Sequence, residues 1–492
     1  MHEELIDAYR VELPAISLGG IMVDGTLVPG SHVNLLLKQL NRHGLVAGAT
    51  GSGKTKSLQV LAEKLSLAGV PSLLLDVKGD LSGLAMPGTP NKGLEERCQS
   101  LNVPFEPRGF PVELLSISEH ITGVPIRATV GDFGPLLFSR MLELNDTQSG
   151  VMTILFEYAK AKAIDIVTLD DFKALLQFSQ TEEGVNAIEK KYGHISSTTV
   201  GTIMRKLIAL ESQEGGYFFG EPAYHINDLM RFDSSGRGRI SILRVMDMQD
   251  KPFLFSTFMV KLLSDIYRQL PEAGDLDKPK LMLFIDEAHL IFNNANRALL
   301  NLLDTIVKLI RSKGVGIIFC TQTPKDVPEN ILSQLGLKIQ HSLRAFTAND
   351  RKAISLTAKN FPPSSFYNTE ELLTSLGIGE ALLTAIDVKG VPTPLVQCLV
   401  CPPQSRMGVL NAEEDALILS QSPLYPKYQN RLEHPLAKEF LETQNVINTV
   451  KENAAIELSM IDKLSKNTLF RQIVRDVFKK LMQILLSMLR KK

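Results

Sequence analysis

The stretch Gly48-Ala49-Thr50-Gly51-Ser52-Gly53-Lys54-Thr55 fills the GxxxxGK[ST] spacing. Each residue type in it answers a chemical need. Glycines let the backbone turn tightly enough to aim several N–H groups at one polyphosphate. A lysine reaches the outer phosphates, and a threonine hydroxyl can ligate Mg²⁺. The apolar run Leu45 to Ala47 precedes the loop. A helix-like run from Lys54 to about Ala68 follows, with Lys56 in its first turn. The positive end of such a helix faces the phosphates. Together these residues predict binding of a nucleoside triphosphate, ATP with Mg²⁺, across Gly48 to Lys56.

A second motif supplies the groups that hydrolysis needs. Leu281 to Ile285 are apolar throughout and end in Asp286-Glu287, followed by Ala288-His289. A continuous apolar run suits a central parallel strand covered on both faces. The first carboxylate is placed to hold Mg²⁺ and the second to polarise an attacking water. Asp76, Lys78 and Asp80 follow another apolar run, Pro71 to Leu75, where the strand ends of an open α/β sheet carry ligand sites. They face the nucleotide or form a polar turn leaving a strand. Gly316 to Cys320 is β-branched and apolar and ends in Thr321-Gln322-Thr323-Pro324. Gln322, with Thr321 second, is the candidate to sense the γ-phosphate; the other reading is a strand-end polar cluster. Arg311, Arg344 and Arg351 qualify as arginines that neutralise transition-state charge, within one subunit or across to a neighbour.

The elements that position these residues are legible in outline. The two motifs lie about 230 residues apart, roughly twice what a bare nucleotide-binding core built of βαβ units requires. Between them, Pro135–Leu144, Gly150–Lys162, Leu169–Gln180 and Thr198–Leu210 have helical periodicity without a strand pattern. The expected organisation is a short β segment (1–40, with one hairpin around Asp24-Gly25), a RecA-like α/β core in two parts (41–130 and 236–405), a helical insertion (131–235) and a helical C-terminal region (406–492). Glu380–Ile386 and Pro394–Val400 read as an antiparallel hairpin closing the sheet.

At 492 residues the chain is long enough for two to four domains. A formal net charge of −1 neither requires nor excludes a nucleic-acid partner, because a groove or ring can be basic locally. Four cysteines are too few for a disulfide framework. Cys398 and Cys401 form a lone C-x-x-C, read as a small apolar pair near a strand end rather than a metal or redox site. Neither a signal-peptide pattern nor a run of about 18 apolar residues is present, so a cytoplasmic location without an integral membrane segment is expected. Lys466 to Lys492 carries a broad apolar stripe opposite Arg471, Arg475, Lys479 and Lys480. Docking on the core or a neighbouring subunit is the favoured use; an anionic membrane surface and nucleic-acid phosphates are the alternatives.

The set Leu40-Asn41-Arg42-His43-Gly44 running into the phosphate loop, Asp76-Val-Lys-Gly-Asp80, Phe284-Ile-Asp-Glu-Ala-His289 and Cys320-Thr-Gln-Thr-Pro324 resembles the HerA-type ATPases of the HerA/FtsK superfamily. More narrowly it is similar to bacterial HerA-like proteins formerly labelled a domain of unknown function. The resemblance spans roughly residues 15–405. It implies a RecA-like core, a homo-oligomeric and usually hexameric ring, and ATP hydrolysis between subunits. That energy would move double-stranded DNA or another polymer, with a partner nuclease or effector left unidentified. It places phosphate and Mg²⁺ binding on Gly48 to Thr55, catalysis on Glu287 and sensing on Gln322. The family's N-terminal β-barrel does not fit in about 40 residues before the loop. The alternative function is a nucleotide-gated assembly or scaffold ATPase that moves no DNA.

Overall fold

The computed structural model describes residues 3–247, 250–293 and 297–433, together with positions 475 and 479. The segment 466–492 therefore lies, apart from those two positions, outside the described residues. Thirteen strands form one sheet: β1 (Ala15–Val23), β2 (Thr26–Leu27), β3 (Val33–Leu36), β4 (Gly44–Ala47), β5 (Ser72–Asp76), β6 (Val112–Ser116), β7 (Val124–Pro125), β8 (Ile240–Arg244), β9 (Leu281–Ile285), β10 (Val315–Thr321), β11 (Leu337–Gln340), β12 (Glu380–Thr384) and β13 (Val396–Val400). Their spatial order is β2-β1-β13-β12-β11-β4-β10-β9-β5-β8-β6-β7, with β3 on β1. From β11 to β7 every pairing is parallel, and from β11 through β12 and β13 to β1 every pairing is antiparallel. The β1–β2 hairpin expected at Asp24-Gly25 is present. It is no separate unit, since β1 pairs with β13 from the far end of the chain.

Alternation along the central strands splits the core in two. Leu45, Leu73, Leu75, Leu115, Leu283, Ile285, Ile317 and Phe319 point into one hydrophobic cluster. Their neighbours Val46, Leu74, Leu114, Met282, Phe284 and Ile318 point into another. The second face is covered by the helix Lys54–Leu67, through Leu58, Leu61 and Leu65. The first is covered by the helices Pro252–Gln269 and Arg297–Ile310 and by the helical stretch that begins at Val130.

That stretch holds the helices Val130–Met141, Asp146–Ala161, Leu169–Phe178, Glu182–Tyr192 and Ser197–Leu210 with no strand between them. Side-chain caps start them: Thr129 with Asp132, Asn145 with Gln148 and Thr168 with Asp171 form capping boxes, each satisfying otherwise unpaired N–H groups. Phe133, Phe138, Phe156, Phe172 and Phe219 pack ring on ring at its centre. These rings belong to the same cluster as the sheet residues. The helix Glu182–Tyr192, capped by Thr181, escapes the sequence pattern because only Gly184 and Ile188 in it are buried. The helix Glu3–Tyr9 is too short for periodicity to reveal. Tyr9 Oη ties it to the sheet by donating to the Pro394 carbonyl at 2.8 Å. Cys398 and Cys401 are buried in the second cluster.

Candidate active site

The chain leaves β4 at Ala47 and turns through Gly48–Gly53 into the helix that starts at Lys54. Gly53 has φ 112° and Gly48 φ 155°. A Cβ on Gly53 would sit 3.1 Å from the Gly379 nitrogen, and one on Gly48 2.6 Å from the Cβ of His341. Both conformation and crowding therefore demand glycine. Neighbouring backbone clamps the loop: Ala49 N donates to Ser342 O at 2.8 Å, His341 N to Ala47 O at 2.7 Å, and Gly379 N to Ser52 O at 3.1 Å.

His341 buttresses the loop from beneath. Its Nδ1 lies 2.8 Å from the Glu380 carbonyl and its Nε2 2.9 Å from Ser57 Oγ. A carbonyl only accepts, so Nδ1 carries the proton and Nε2 accepts from the serine. Burial pushes the imidazole pKa down to about 4, which keeps the ring neutral. Nothing local in the sequence marks this histidine; it reads there only as the end of a strand.

Lys54 is buried, and its ammonium donates to the carbonyls of Gly48 at 2.6 Å and Ala49 at 3.2 Å. Burial pulls its pKa down, and nearby Lys78 adds to that, while Glu287 and Asp286 oppose it. These four charges thus share one field. The topology explains their meeting: β10 lies between β4 and β9, so loop and acids project from the same edge one strand apart.

Asp286 and Glu287 follow β9 and are only 3% and 5% exposed. Glu287 holds φ at 47°, a left-handed conformation that costs a non-glycine residue on the order of 1–3 kcal/mol. The turn is fixed by Ala288 N donating to Cys320 O at 2.9 Å and Glu287 N donating to Asp286 Oδ1 at 3.0 Å. Burial raises the Asp286 pKa, with Lys78 working against it. Its Oδ2 is buried with no nitrogen or oxygen donor, the weakly donating Cys320 thiol being the side chain beside this carboxylate. A buried carboxylate oxygen left without a strong donor is costly, and it is the kind of ligand a hard divalent cation takes. The donors present fit Mg²⁺. Glu287 pairs through Oε1 with Lys78, and its Oε2 lies 3.2 Å from His289 Nδ1. Burial works against the charge on Lys78, but the hydrogen bond to Glu287 and the fields of Asp286 and Glu287 leave its pKa raised.

Asp76 orders the turn that follows β5. Fully buried, its carboxylate accepts from Gly79 N at 2.7 Å and Leu81 N at 3.1 Å. Burial lifts its pKa to about 6 against those two bonds. Those bonds shape the turn that carries Lys78 to Glu287. Asp80 acts electrostatically on Lys56 in the first turn of the loop's helix. Thr321 is also committed, donating to Asp326 Oδ2 at 2.6 Å. Gln322 is exposed and lines a cavity of about 310 Å³ with Ala49, Thr50, Arg344 and Asp350. In it Arg344 Nη2 donates to the Thr50 carbonyl at 3.2 Å. Arg351 is exposed on the helix Ala348–Ala358. Thr55 is half-buried at the helix start.

Arg311 is not with them. It precedes β10 and lines a cavity of about 600 Å³ at the opposite edge of the parallel strands, beside Arg42, Lys308 and Lys338. Burial and then the charge of Arg42 lower its pKa. No carboxylate is among the described residues lining this cavity.

The family model described as Helicase HerA-like C-terminal matches residues 25–484. The chain belongs to that family. Within the HerA-like family, it is 23% identical to the DNA double-strand break repair helicase HerA of Sulfolobus acidocaldarius over 397 residues, 77% of this chain and 69% of that protein. It is 24% identical to the same-named helicase of Sulfurisphaera tokodaii over 386 residues, 76% of this chain and 69% of the other. Among solved structures, the plasmid coupling protein TrwB in complex with ADP and Mg²⁺ aligns with a TM-score of 0.52 at 16% identity, covering 83% of this chain and 92% of that one. At that identity the likeness shows the fold, a RecA-like α/β P-loop core. This HerA-like chain is a P-loop ATPase. No helix among the described residues is long and apolar enough to cross a membrane.

Proposed function

We propose that this HerA-like ATPase is a ring-forming motor, usually hexameric in its family, that couples ATP hydrolysis to movement along double-stranded DNA. The observation that carries the reading is the division of labour between the sheet's two edges. One edge gathers the phosphate loop, Asp286, Glu287 and Lys78. The other carries Arg311 and Arg42, cationic groups that its own loop does not use.

In this mechanism the loop N–H groups and Lys54 hold the β- and γ-phosphates. Thr55 Oγ1 and Asp286 Oδ2 would hold Mg²⁺, which when bound offsets phosphate charge. Glu287 Oε2 takes the proton of the attacking water, the other oxygen being held by Lys78. Gln322, exposed beside Ala49 and Thr50, is the sensor. Arg344 supports the loop of its own subunit through the Thr50 carbonyl. Arg311, with Arg42 beside it, stabilises the transferring phosphoryl group of the adjacent subunit.

DNA enters from the family and from relatives named as DNA repair helicases. The test is the ATPase rate with and without double-stranded DNA at low salt. The motor predicts several-fold stimulation. An unchanged rate would move the protein to the alternative, a scaffold whose assembly nucleotide merely gates.

A further inference from the structure

His43 joins the two edges of the sheet, and no step of the mechanism uses it. It stands directly before β4, whose far end turns into the phosphate loop. Its φ of 60° and ψ of 170° belong to a region that a non-glycine residue holds only at a cost. Such a conformation persists where the surroundings over-determine it. Here they do so on three sides. Its carbonyl accepts from Leu337 N of β11 at 3.1 Å. Its Nδ1 accepts from Ile317 N of β10 at 3.0 Å, and its Nε2 lies 2.8 Å from the Val307 carbonyl. A backbone N–H only donates and a carbonyl only accepts, so the proton sits on Nε2 and both ring nitrogens are used. His43 is buried. Burial, joined by the charge of Arg311, lowers its pKa to about 4 against the Val307 bond, so the ring stays neutral and keeps that arrangement.

Val307 lies in the last turn of the helix Arg297–Ile310, where a helix has more carbonyls than its own N–H groups can serve. Arg311 follows four residues on, about one helical turn, at the start of the short turn Arg311–Lys313. Arg42, His43, Val307, Lys308 and Arg311 all line the basic cavity of about 600 Å³. Arg42 Nε is buried there without a hydrogen-bond partner. The imidazole thus fastens the wall that carries Arg311 to the strand that carries the phosphate loop. A side chain without a donor at this position would release the helix end from β4.

We infer that His43 is a positioning residue for Arg311: its Nε2–H bond to Val307 O sets where the guanidinium stands for the neighbouring subunit's nucleotide. The inference rests on the proposal that Arg311 acts across the interface. A histidine that only braced β4 would act on the loop of its own subunit. The two roles therefore differ in whose turnover they change.

His43→Asn and His43→Gln separate the two ring contacts. An asparagine amide oxygen can replace Nδ1 and accept from Ile317 N, but the side chain is too short to reach Val307 O; glutamine reaches it. ATPase kinetics, ATP affinity and melting temperature are measured on the full chain and both variants. His43→Asn should lower kcat roughly tenfold, as loss of a partner that orients a working group does, with ATP affinity within a few-fold. His43→Gln should keep most of the rate. Subunits carrying His43→Asn are then co-assembled with Lys54→Ala subunits, which lack a working loop but present an intact Arg311. The rate per intact loop should rise several-fold. No rise would overturn the inference, as would a wild-type kcat in His43→Asn. Should His43→Asn fail to fold, His43→Gln decides: a rate near wild type supports the inference, and a tenfold loss at unchanged melting temperature overturns it. Arg311→Ala co-assembled with Lys54→Ala is the control. If that mixture stays inactive, the reading of Arg311 itself falls; if it recovers while His43→Asn does not, only the role of His43 falls.

Discussion

The two edges of the parallel sheet are chemically opposite. At the carboxyl ends of the strands, Lys54 and Lys78 meet Asp286 and Glu287, and each charge has an opposing neighbour. At the amino ends, Arg42, Lys308, Arg311 and Lys338 line one cavity that holds no carboxylate among its described residues. Lys308 does find Asp304 at 2.6 Å outside it, but Arg311 and Arg42 repel each other. Such an excess of like charge raises the folded state's energy unless an anion relieves it. On the proposed function, the relieving anion is the nucleotide of an adjacent copy, and one chain would then carry two half-sites, neither complete alone.

The largest break in that comparison comes from its basic side. Arg311→Ala should lower kcat roughly 10³-fold, as removal of an arginine finger does, while nucleotide affinity in the subunit's own loop stays within a few-fold. An affinity loss equal to the kcat loss would return Arg311 to a structural role. On the acidic side, Glu287→Gln should keep ATP bound and slow turnover roughly 10²–10⁴-fold, the usual worth of a general base. Single-turnover measurements would then trap unhydrolysed ATP, and wild-type turnover would remove Glu287 from its role. A smaller effect is expected where the carboxylate is held rather than used. Lys78→Met should lower kcat roughly tenfold, the low end for groups that orient a reacting residue, with KM little changed and Lys78→Arg recovering most of the rate. A matching rise in KM would instead make Lys78 a direct phosphate ligand.

What could be read from the sequence follows from how local each feature is. The phosphate loop and the Asp286-Glu287 strand end are contiguous because their ligands are contiguous, so spacing alone exposes them. The place of Gln322 at the end of an apolar strand is legible in the same way, while its proposed sensing role is not fixed by position alone. The Lys78–Glu287 pair is not, because it joins segments over 200 residues apart and depends on Asp76 folding the intervening turn. His341 shows the same limit: its value lies in touching Ser57 and Glu380, which only the strand order brings near. Arg42 stands beside the loop's strand, but its setting is not local, because its neighbour Arg311 arrives from the turn that precedes β10. The sheet fared similarly. Parallel strands announced themselves as apolar runs, whereas β1 joining β13 required the whole topology.

The two-half-site account is tested most directly by mixing two inactive proteins, Lys54→Ala, which lacks a working phosphate loop, and Arg311→Ala, which lacks the basic edge. Co-assembled with ATP and DNA, they should regain ATPase activity, because some interfaces pair an intact loop with an intact Arg311. A mixture as inactive as its two components, with mixed assemblies shown to form, would contradict it.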